Sequence, residues 1–258
     1  MLGTNSIGLT LSGGAARGFA HLGLLKAMEE LNIKPDIISG CSAGSIAAAF
    51  YADGFSPEEI LEILSSYKLK KYFRFGLPRK GLMKSTGLYR IIKSNLRTKN
   101  IEDLKIPLWI GITNMNLGIP EYINEGDLAK FILASASIPV VFRPIVIKGI
   151  MYVDGGVMDN LPLKPLQGKA DIIIASNVSP IVECNTPQSL KRVAERTFLL
   201  ALHSKIINQT AMYNLLLEPP KMANYGFLEL KKAREMFEIG YEFAIEELKK
   251  FINSKSSD

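Results

Sequence analysis

Asp36-Ile37-Ile38-Ser39-Gly40-Cys41-Ser42-Ala43-Gly44-Ser45-Ile46-Ala47-Ala48-Ala49-Phe50 is the stretch that decides the fold. A short apolar run enters a Gly-x-Ser-x-Gly turn, and an alanine-rich segment with high helix propensity leaves it. This pentapeptide carries chemistry where a strand passes through a sharp turn into a helix, because the serine hydroxyl is then held above the sheet edge. Gly40 and Gly44 flank the serine because such a turn leaves little room for side chains at its ends. The first amides of the helix direct their positive ends toward whatever Ser42 attacks. Ser42 is therefore the candidate nucleophile.

The same pattern extends outward. Ile7 to Leu11 reads as a strand, Ser12 to Gly18 as a glycine-rich loop, and Phe19 to Leu31 as a helix with Leu22, Leu25, Met28 and Leu31 at spacings of three. This β-loop-α-β-turn-α opening predicts a parallel sheet covered by helices. Further on, Ser56-Pro57-Glu58-Glu59 starts a helix with a serine cap, proline at the first position and acids in the first turn. Thr86 to Leu96 and Leu128 to Ser135 read as helices, and Pro107 to Thr113 as a buried strand in which Trp109 belongs to the core. Ile145 to Val153 reads as two strands turning at Lys148-Gly149, and Asp171 to Ser176 as another strand. From Gln188 on, the pattern is helical, with long helices expected over Leu190–Tyr213 and Glu229–Ile252. The expected fold class is α/β: a three-layer arrangement with a mostly parallel central sheet, helices on both faces and a helical C-terminal extension over 188–252.

The 258 residues are 47% hydrophobic and 22% charged, enough for a sizeable core, and no Pro/Gly/Ser-rich linker divides them. A single domain over 1–258 is expected. Two cysteines, Cys41 and Cys184, make no disulfide framework, so both are expected reduced. The N-terminus lacks a basic, apolar leader and no window is apolar enough to span a bilayer. The expectation is a cytoplasmic protein, peripheral at the inner membrane face if its basic segment meets lipid. The net charge of +6 comes from that segment: Ile63 to Ile101 holds eleven Lys or Arg and no acid, leaving twenty cations against twenty-five acids elsewhere. Within it, residues 68–84 mix cations with aromatic rings. They read as a surface for anionic lipid, a flap over substrate access, or a solvated loop. Charge alone would suit nucleic acid, but no nucleic-acid-binding motif accompanies it and no such partner is expected.

The loop Gly13-Gly14-Ala15-Ala16-Arg17-Gly18 departs from the dinucleotide fingerprint, since Ala15 stands where the second glycine belongs, and it lacks the Gly-Lys-Ser/Thr of a P-loop. Two functional readings remain. One is an anion cradle at a helix N-terminus. The other is an oxyanion hole built from the Gly14 and Ala15 amides facing Ser42, with Arg17 adding charge or anchoring the loop. A base for Ser42 must come from elsewhere. His21 sits in the first helix beside Leu24 and Leu25, and His203 lies within a helix amid Leu199-Leu200-Ala201-Leu202, although catalytic histidines of hydrolases sit on loops. Asp154 is the better candidate. It ends the apolar run Met151-Tyr152-Val153 and precedes Gly155-Gly156, which places a carboxylate at the sheet edge, where partial burial would raise its basicity. Asp159 and Asn160 follow closely and could support that loop.

The three stretches Ser12–Gly18, Gly40–Gly44 and Asp154–Gly156, in this order and spacing, resemble the signatures of the patatin-like phospholipases. Ala134–Pro139 and Val157–Pro162 resemble that family's intervening blocks, and the likeness spans residues 7–177. The resemblance implies a Ser–Asp dyad with Ser42 as nucleophile and Asp154 as base. It implies oxyanion donors at the Gly14, Ala15 and Arg17 amides, and supporting glycines at 13, 18, 40, 44, 155 and 156. It also implies an acyl-ester substrate such as a glycerolipid, with no cofactor and no metal. Many members carry three successive glycines in the first loop. Here the third is Ala15, whose amide donates equally well where its φ is allowed. Two other readings stand beside this one: an α/β-hydrolase triad ending at His203, and a non-catalytic anion- or lipid-binding regulator.

Overall fold

The computed structural model describes residues 5–65, 86–183 and 190–255. The basic segment 68–84 and Cys184 lie outside the described residues. Among the described residues, eight strands form one mixed, mostly parallel sheet. They are β1 (Ile7–Leu11), β2 (Ile37–Cys41), β3 (Leu108–Asn114), β4 (Ile119–Ile123), β5 (Ile145–Ile147), β6 (Ile150–Asp154), β7 (Ile172–Ser176) and β8 (Leu215–Leu217). The run β3-β2-β1-β7-β8 is parallel throughout, while β4, β5 and β6 join antiparallel beyond β3.

The register at β3 decides where the chemistry sits. Gly111 pairs with Cys41 of β2 and Tyr122 of β4, and Ile112 pairs with Asp154 of β6 and Glu121 of β4. A strand has two edges. Since β4 occupies one of them along this whole stretch, β2 and β6 share the other end to end. They run in opposite directions. The C-terminal residues of β2 and of β6 therefore meet head to head, beside consecutive residues of β3.

The helices are α1 (Phe19–Glu30), α2 (Ala43–Ala52), α3 (Pro57–Ser65), α4 (Thr86–Asn95), α5 (Leu128–Ser135), α6 (Leu190–Ile206) and α7 (Ala233–Lys255). Alternate strand residues such as Leu9, Ile38, Ile110 and Ile174 enter the main core, where α1, α2, α3, α4, α5 and α7 pack on one face. The other face is thinner. Ile37, Ile173 and Ala175 meet Leu161, Leu163, Leu166 and Ile206 at the end of α6. Trp109 packs against this smaller cluster, half-buried, with the Lys169 ammonium 3.9 Å from its ring centre. The expected helix start at Ser56 closes as a capping box: Ser56 Oγ accepts from the Glu59 amide at 3.2 Å and Glu59 Oε2 accepts from the Ser56 amide at 2.7 Å.

Three expectations need correction. β4 was not expected, because Pro120 interrupts it and its residues are half-exposed at the sheet margin, where proline is tolerated. β8 lies within the C-terminal region read as helical, since three successive leucines fit a strand or a helix equally well. The helix expected to run to Tyr213 stops at Ile206 and passes into a 3-10 turn over Ile207–Met212, and the last helix begins at Ala233.

The C-terminal helix is held by direct backbone approach. A Cβ on Gly23 of α1 would lie 2.1 Å from the Phe237 carbonyl oxygen, and one on Gly240 of α7 would lie 2.2 Å from that of Ala20. Neither helix can retreat without opening the core around Met28, Met236 and Leu248. Gly23→Ala and Gly240→Ala should each cost about 2–3 kcal/mol by overpacking, a fall in Tm of roughly 5–10 °C in a chain of this size. Thermal melts of the two variants check this, and unchanged midpoints would contradict it.

Candidate active site

Ser42 follows β2 directly and caps α2. Its backbone has φ 50° and ψ −120°, a left-handed conformation that a non-glycine residue adopts only at a cost of about 1–3 kcal/mol. Both sides of the residue are pinned. Its amide donates to Ser135 Oγ at 2.8 Å, and that hydroxyl donates to the Gly111 carbonyl at 2.7 Å. Its carbonyl accepts from Ser45 Oγ at 2.7 Å and from the Ile46 amide at 3.2 Å. A serine at a helix cap ordinarily spends its hydroxyl on the helix amides. Ser42 makes no such bond. Its Oγ donates instead to Asp154 Oδ2 at 2.6 Å.

Asp154 ends β6 and is fixed along its whole length. Its amide donates to the Ser137 carbonyl at 3.0 Å, and its carbonyl accepts from Thr113 Oγ1 at 2.9 Å. Oδ1 accepts from the Gly156 amide at 2.9 Å and from Cys41 Sγ at 3.8 Å. The residue is only 4% exposed. Burial pushes its carboxyl up to about 6, although the bonds from Ser42, Gly156 and Cys41 pull the other way. The Cys41 thiol is itself pushed up, by burial and then by the charge of Asp154, so it remains a protonated donor.

The glycines permit these approaches. A Cβ on Gly44 would sit 2.2 Å from the Leu11 carbonyl oxygen, and one on Gly40 would sit 2.7 Å from that of Gly44. Gly155 presses equally closely on the Gly111 carbonyl, and Gly18 on Ala43. Gly13 lies against Ser42 itself, and Gly13 and Gly156 both abut the Asn160 side chain. Asn160 ties the two loops together, because its carbonyl accepts from the Gly13 amide at 3.1 Å and its Nδ2 donates to the Gly13 carbonyl at 3.3 Å. Asp159 beside it accepts from Tyr122 Oη at 2.6 Å.

The glycine-rich loop thus rests beside the serine. Among the described residues, no acceptor takes the amides of Gly14 and Ala15. Ala15 reaches φ 50°, the left-handed region its alanine side chain tolerates poorly. The Arg17 amide differs from the other two expected donors: it closes a tight turn by donating to the Gly14 carbonyl at 3.1 Å. The buried Arg17 side chain anchors the loop, with Nε donating to the Tyr225 carbonyl at 2.8 Å and the guanidinium 5.2 Å from the Phe227 ring centre. The Ala16 amide also donates to the Phe227 carbonyl, at 3.0 Å. The C-terminal part of the chain therefore braces the loop.

Neither histidine joins Ser42 and Asp154. His21 is fully buried, with Nε2 2.9 Å from the Ser12 carbonyl and Nδ1 3.0 Å from Ser176 Oγ, and burial lowers its pKa to about 4. It stitches β1 to β7 as a neutral ring. His203 makes no hydrogen bond to either residue among the described residues, and its Nδ1 has no partner there. No cluster of metal-ligating side chains occurs among the described residues. Two contributors escaped the sequence reading. Cys41 is read there only as a reduced cysteine, and no sequence signal marks its thiol as a donor to Asp154. Ser135 had a faint signal in the small-residue block Ala134–Ser137, but its bond to the Ser42 amide depends on where α5 ends.

With this geometry in view, comparison with known proteins is informative. The family model described as "Patatin-like phospholipase" matches residues 9–166, more than half of the chain. "Lysophospholipase nte1" of Aspergillus fumigatus is 30% identical over 280 residues, covering 95% of this chain and 18% of that protein. "Lysophospholipase NTE1" of Pyricularia oryzae is 26% identical over 277 residues, with the same coverage. The chain thus spans about a fifth of the length of these curated relatives. The crystal structure of VipD from Legionella pneumophila matches with a TM-score of 0.64 at 14% identity, over 96% of this chain and 67% of that one, a likeness of fold. The chain belongs to the patatin-like phospholipase family.

The raised carboxyl of Asp154 has a thermodynamic signature. The folded state holds this proton up to about pH 6, whereas an unfolded aspartate loses it near 3.9. Between those values the folded protein binds more protons, so this residue's contribution to stability declines as pH rises through the window and is level above it. The decline amounts to about 3 kcal/mol. Asp154→Asn cannot titrate. The difference in unfolding free energy between wild type and Asp154→Asn should therefore change by about that amount between pH 4 and pH 7. Denaturant titrations at both pH values check it, and a pH-independent difference would contradict the assignment.

Proposed function

We propose that this chain is a serine acyl-ester hydrolase acting on lipid, with Ser42 as nucleophile and Asp154 as its base. The observation that carries the proposal is the 2.6 Å hydrogen bond from Ser42 Oγ to a buried carboxylate whose affinity for protons is raised to about 6. A base poised near neutrality is ionised at working pH and still able to hold a proton in transit. Membership of a phospholipase family supports a lipid ester as substrate. The lysophospholipase relatives make single-chain glycerophospholipids the first class to test.

The reaction proceeds in two halves. Ser42 Oγ attacks the ester carbonyl carbon as its proton passes to Asp154 Oδ2. Negative charge develops on the carbonyl oxygen, where the uncommitted amides of Gly14 and Ala15 are the available donors. Each such donor is worth about 3 kcal/mol when aimed at the developing oxyanion. The carbon–oxygen bond to the alcohol then breaks, and Asp154 returns the proton to the departing oxygen. Water enters, gives a proton to Asp154 and attacks the acyl-serine. Collapse releases the fatty acid and restores the proton to Ser42 Oγ. Cys41 and Gly156 hold the other carboxylate oxygen throughout, so Oδ2 stays aimed at the serine.

Ser42→Ala and Asp154→Asn should each lower ester hydrolysis by roughly four orders of magnitude while keeping a native circular dichroism spectrum. His203→Ala should stay within about twofold of wild type, as a residue outside the proton path does. A lethal His203→Ala would favour the triad reading, and full activity in Asp154→Asn would remove the dyad. A fluorophosphonate probe that leaves Ser42 unlabelled would favour the non-catalytic regulator. The kcat/KM profile should rise with pH through an apparent pKa near 6, since only ionised Asp154 accepts the proton.

A further inference from the structure

Three loops leave the active-site edge of the sheet within a few residues of Asp154. The β3–β4 turn begins at Met115, three residues beyond Ile112, the strand partner of Asp154. The segment after α5 begins at Ser137, whose carbonyl takes the Asp154 amide. The β5–β6 hairpin feeds directly into Asp154. Each of these loops exposes large apolar side chains that nothing among the described residues covers. Val140 is 86% exposed, Leu117 69%, Val146 63% and Met115 50%, with Met151 also exposed. Val146 and Met151 are directly paired across the hairpin, so they point to one side, and the Met115 amide donates to the Met151 carbonyl at 2.9 Å. The residues form a shared rim rather than scattered surface positions.

Val140 adds a second peculiarity. Its φ is 69°, a conformation that β-branched residues almost never adopt. Its neighbours enforce it, since the Val141 and Phe142 amides both donate to the Ile138 carbonyl. The chain therefore spends backbone strain to hold an uncovered valine outward, and such strain gathers at functional surfaces.

The charge on the rim has one sign. Residues 138–153 contain two cations, Arg143 and Lys148, and no acid, and residues 115–120 carry no charge. Both cations are exposed, and neither is ion-paired among the described residues. Lys148 and Gly149, at φ 50° and 82°, form the tip of the hairpin. The acids that border these stretches are spoken for: Glu121 is occupied by Asn114 and by the Tyr152 hydroxyl, and Asp154 is buried against Ser42. Large apolar side chains ringed by uncompensated cations match an anionic bilayer surface, where the apolar groups enter the headgroup boundary and the cations meet lipid phosphates.

We propose that these three loops form a docking surface for an anionic lipid bilayer, seating the active-site edge of the sheet on the membrane. The choice of a bilayer rather than a protein partner rests on the lipid-hydrolase reading above. The geometry suits the task. Met115 stands about 10 Å past the level of Asp154 along its strand, and apolar side chains of peripheral proteins sink about 5–10 Å into the interface. An ester at that depth then has only a short rise to Ser42.

The test uses the Ser42→Ala protein, so that binding is read without hydrolysis. Flotation or sedimentation with phosphatidylcholine vesicles containing phosphatidylglycerol gives the affinity. Leu117→Asp with Val140→Asp and Val146→Asp should lower it by about tenfold or more, because charges replace inserted apolar groups. Arg143→Glu with Lys148→Glu should also lower it by about tenfold, and only on vesicles containing phosphatidylglycerol. Thermal melts confirm that these exposed substitutions leave the fold intact. Unaltered vesicle binding in both variants, or a parent protein that binds no vesicles, overturns the proposal. So does a rim that governs self-association in sedimentation velocity while vesicle binding stays constant. Loss of vesicle binding in the variants upholds docking even if the parent enzyme proves unable to hydrolyse lipid, so the two readings fail separately.

Discussion

The hydrogen bond between Ser42 Oγ and Asp154 Oδ2 depends on an unusual use of a sheet edge. β2 and β6 occupy the same edge of β3 from opposite ends, and their last residues face each other across a gap of a single register step. A sheet is the stiffest scaffold a chain can build from local bonds, and backbone pairing fixes both strand ends. The serine and the carboxylate are therefore located by main-chain hydrogen bonds rather than by flexible loops. The other parts of the site serve this meeting. Ser135 and Ser137 hold the two backbone amides, Thr113 holds the Asp154 carbonyl, and Asn160 draws the glycine loop against both.

The arrangement is costly, and the costs explain its neighbours. A carboxylate at this depth loses water, and the three donors offered to it do not compensate, which is why its proton affinity rises rather than falls. Charge-assisted bonds return about 1.5–3 kcal/mol each, less than full solvation would. Ser42 and Ala15 both sit at positive φ; bonds on both sides hold Ser42, and Ala15 is flanked by the Arg17-to-Gly14 turn and by the Ala16 amide bonded to the Phe227 carbonyl. The small residues around them are consequences of the same closeness. Glycine carbonyls, alanine Cβ atoms and the Cys41 sulfur fill the positions that larger groups would need. The large core built from α1, α2, α5 and α7 supplies the stability against which such strain can persist.

The two faces of the molecule differ in kind. Six helices bury one face of the sheet, whereas the other is closed by the short segment around Leu161–Leu166 and the end of α6. α6 also bears on the loop after Asp154, with Lys205 Nζ donating to the Val157 and Met158 carbonyls and Leu202 packing beside Gly156. Among the described residues no helix is long and apolar enough to cross a membrane. Several large apolar groups instead stand exposed on the loops beyond Asp154, among them Val140, Leu117, Val146 and Met115.

Local patterns made much of this legible. The strand–turn–helix around Ser42 announces itself through glycine spacing and alanine propensity. The apolar strand closed by Asp154-Gly155-Gly156 marks a carboxylate at a sheet edge, and the capping box at Ser56 marks a helix start. These features follow from steric and hydrogen-bonding demands that act over five or six residues, so the sequence by itself determined them. The order of the strands could not be read this way, nor could the edge strands β4 and β8, whose pairing energy comes from partners up to 41 positions away, as from Ile174 to Leu215. Only the tertiary structure decided that Ser42 and Asp154, 112 positions apart, share a hydrogen bond. It also decided that Arg17 is anchored by residues 208 positions later, that the Cys41 thiol serves the carboxylate, and that the histidines stand aside. Those outcomes depend on how distant elements pack, and a shift of one residue in strand register would turn strand side chains such as Cys41 and Asp154 to the opposite face.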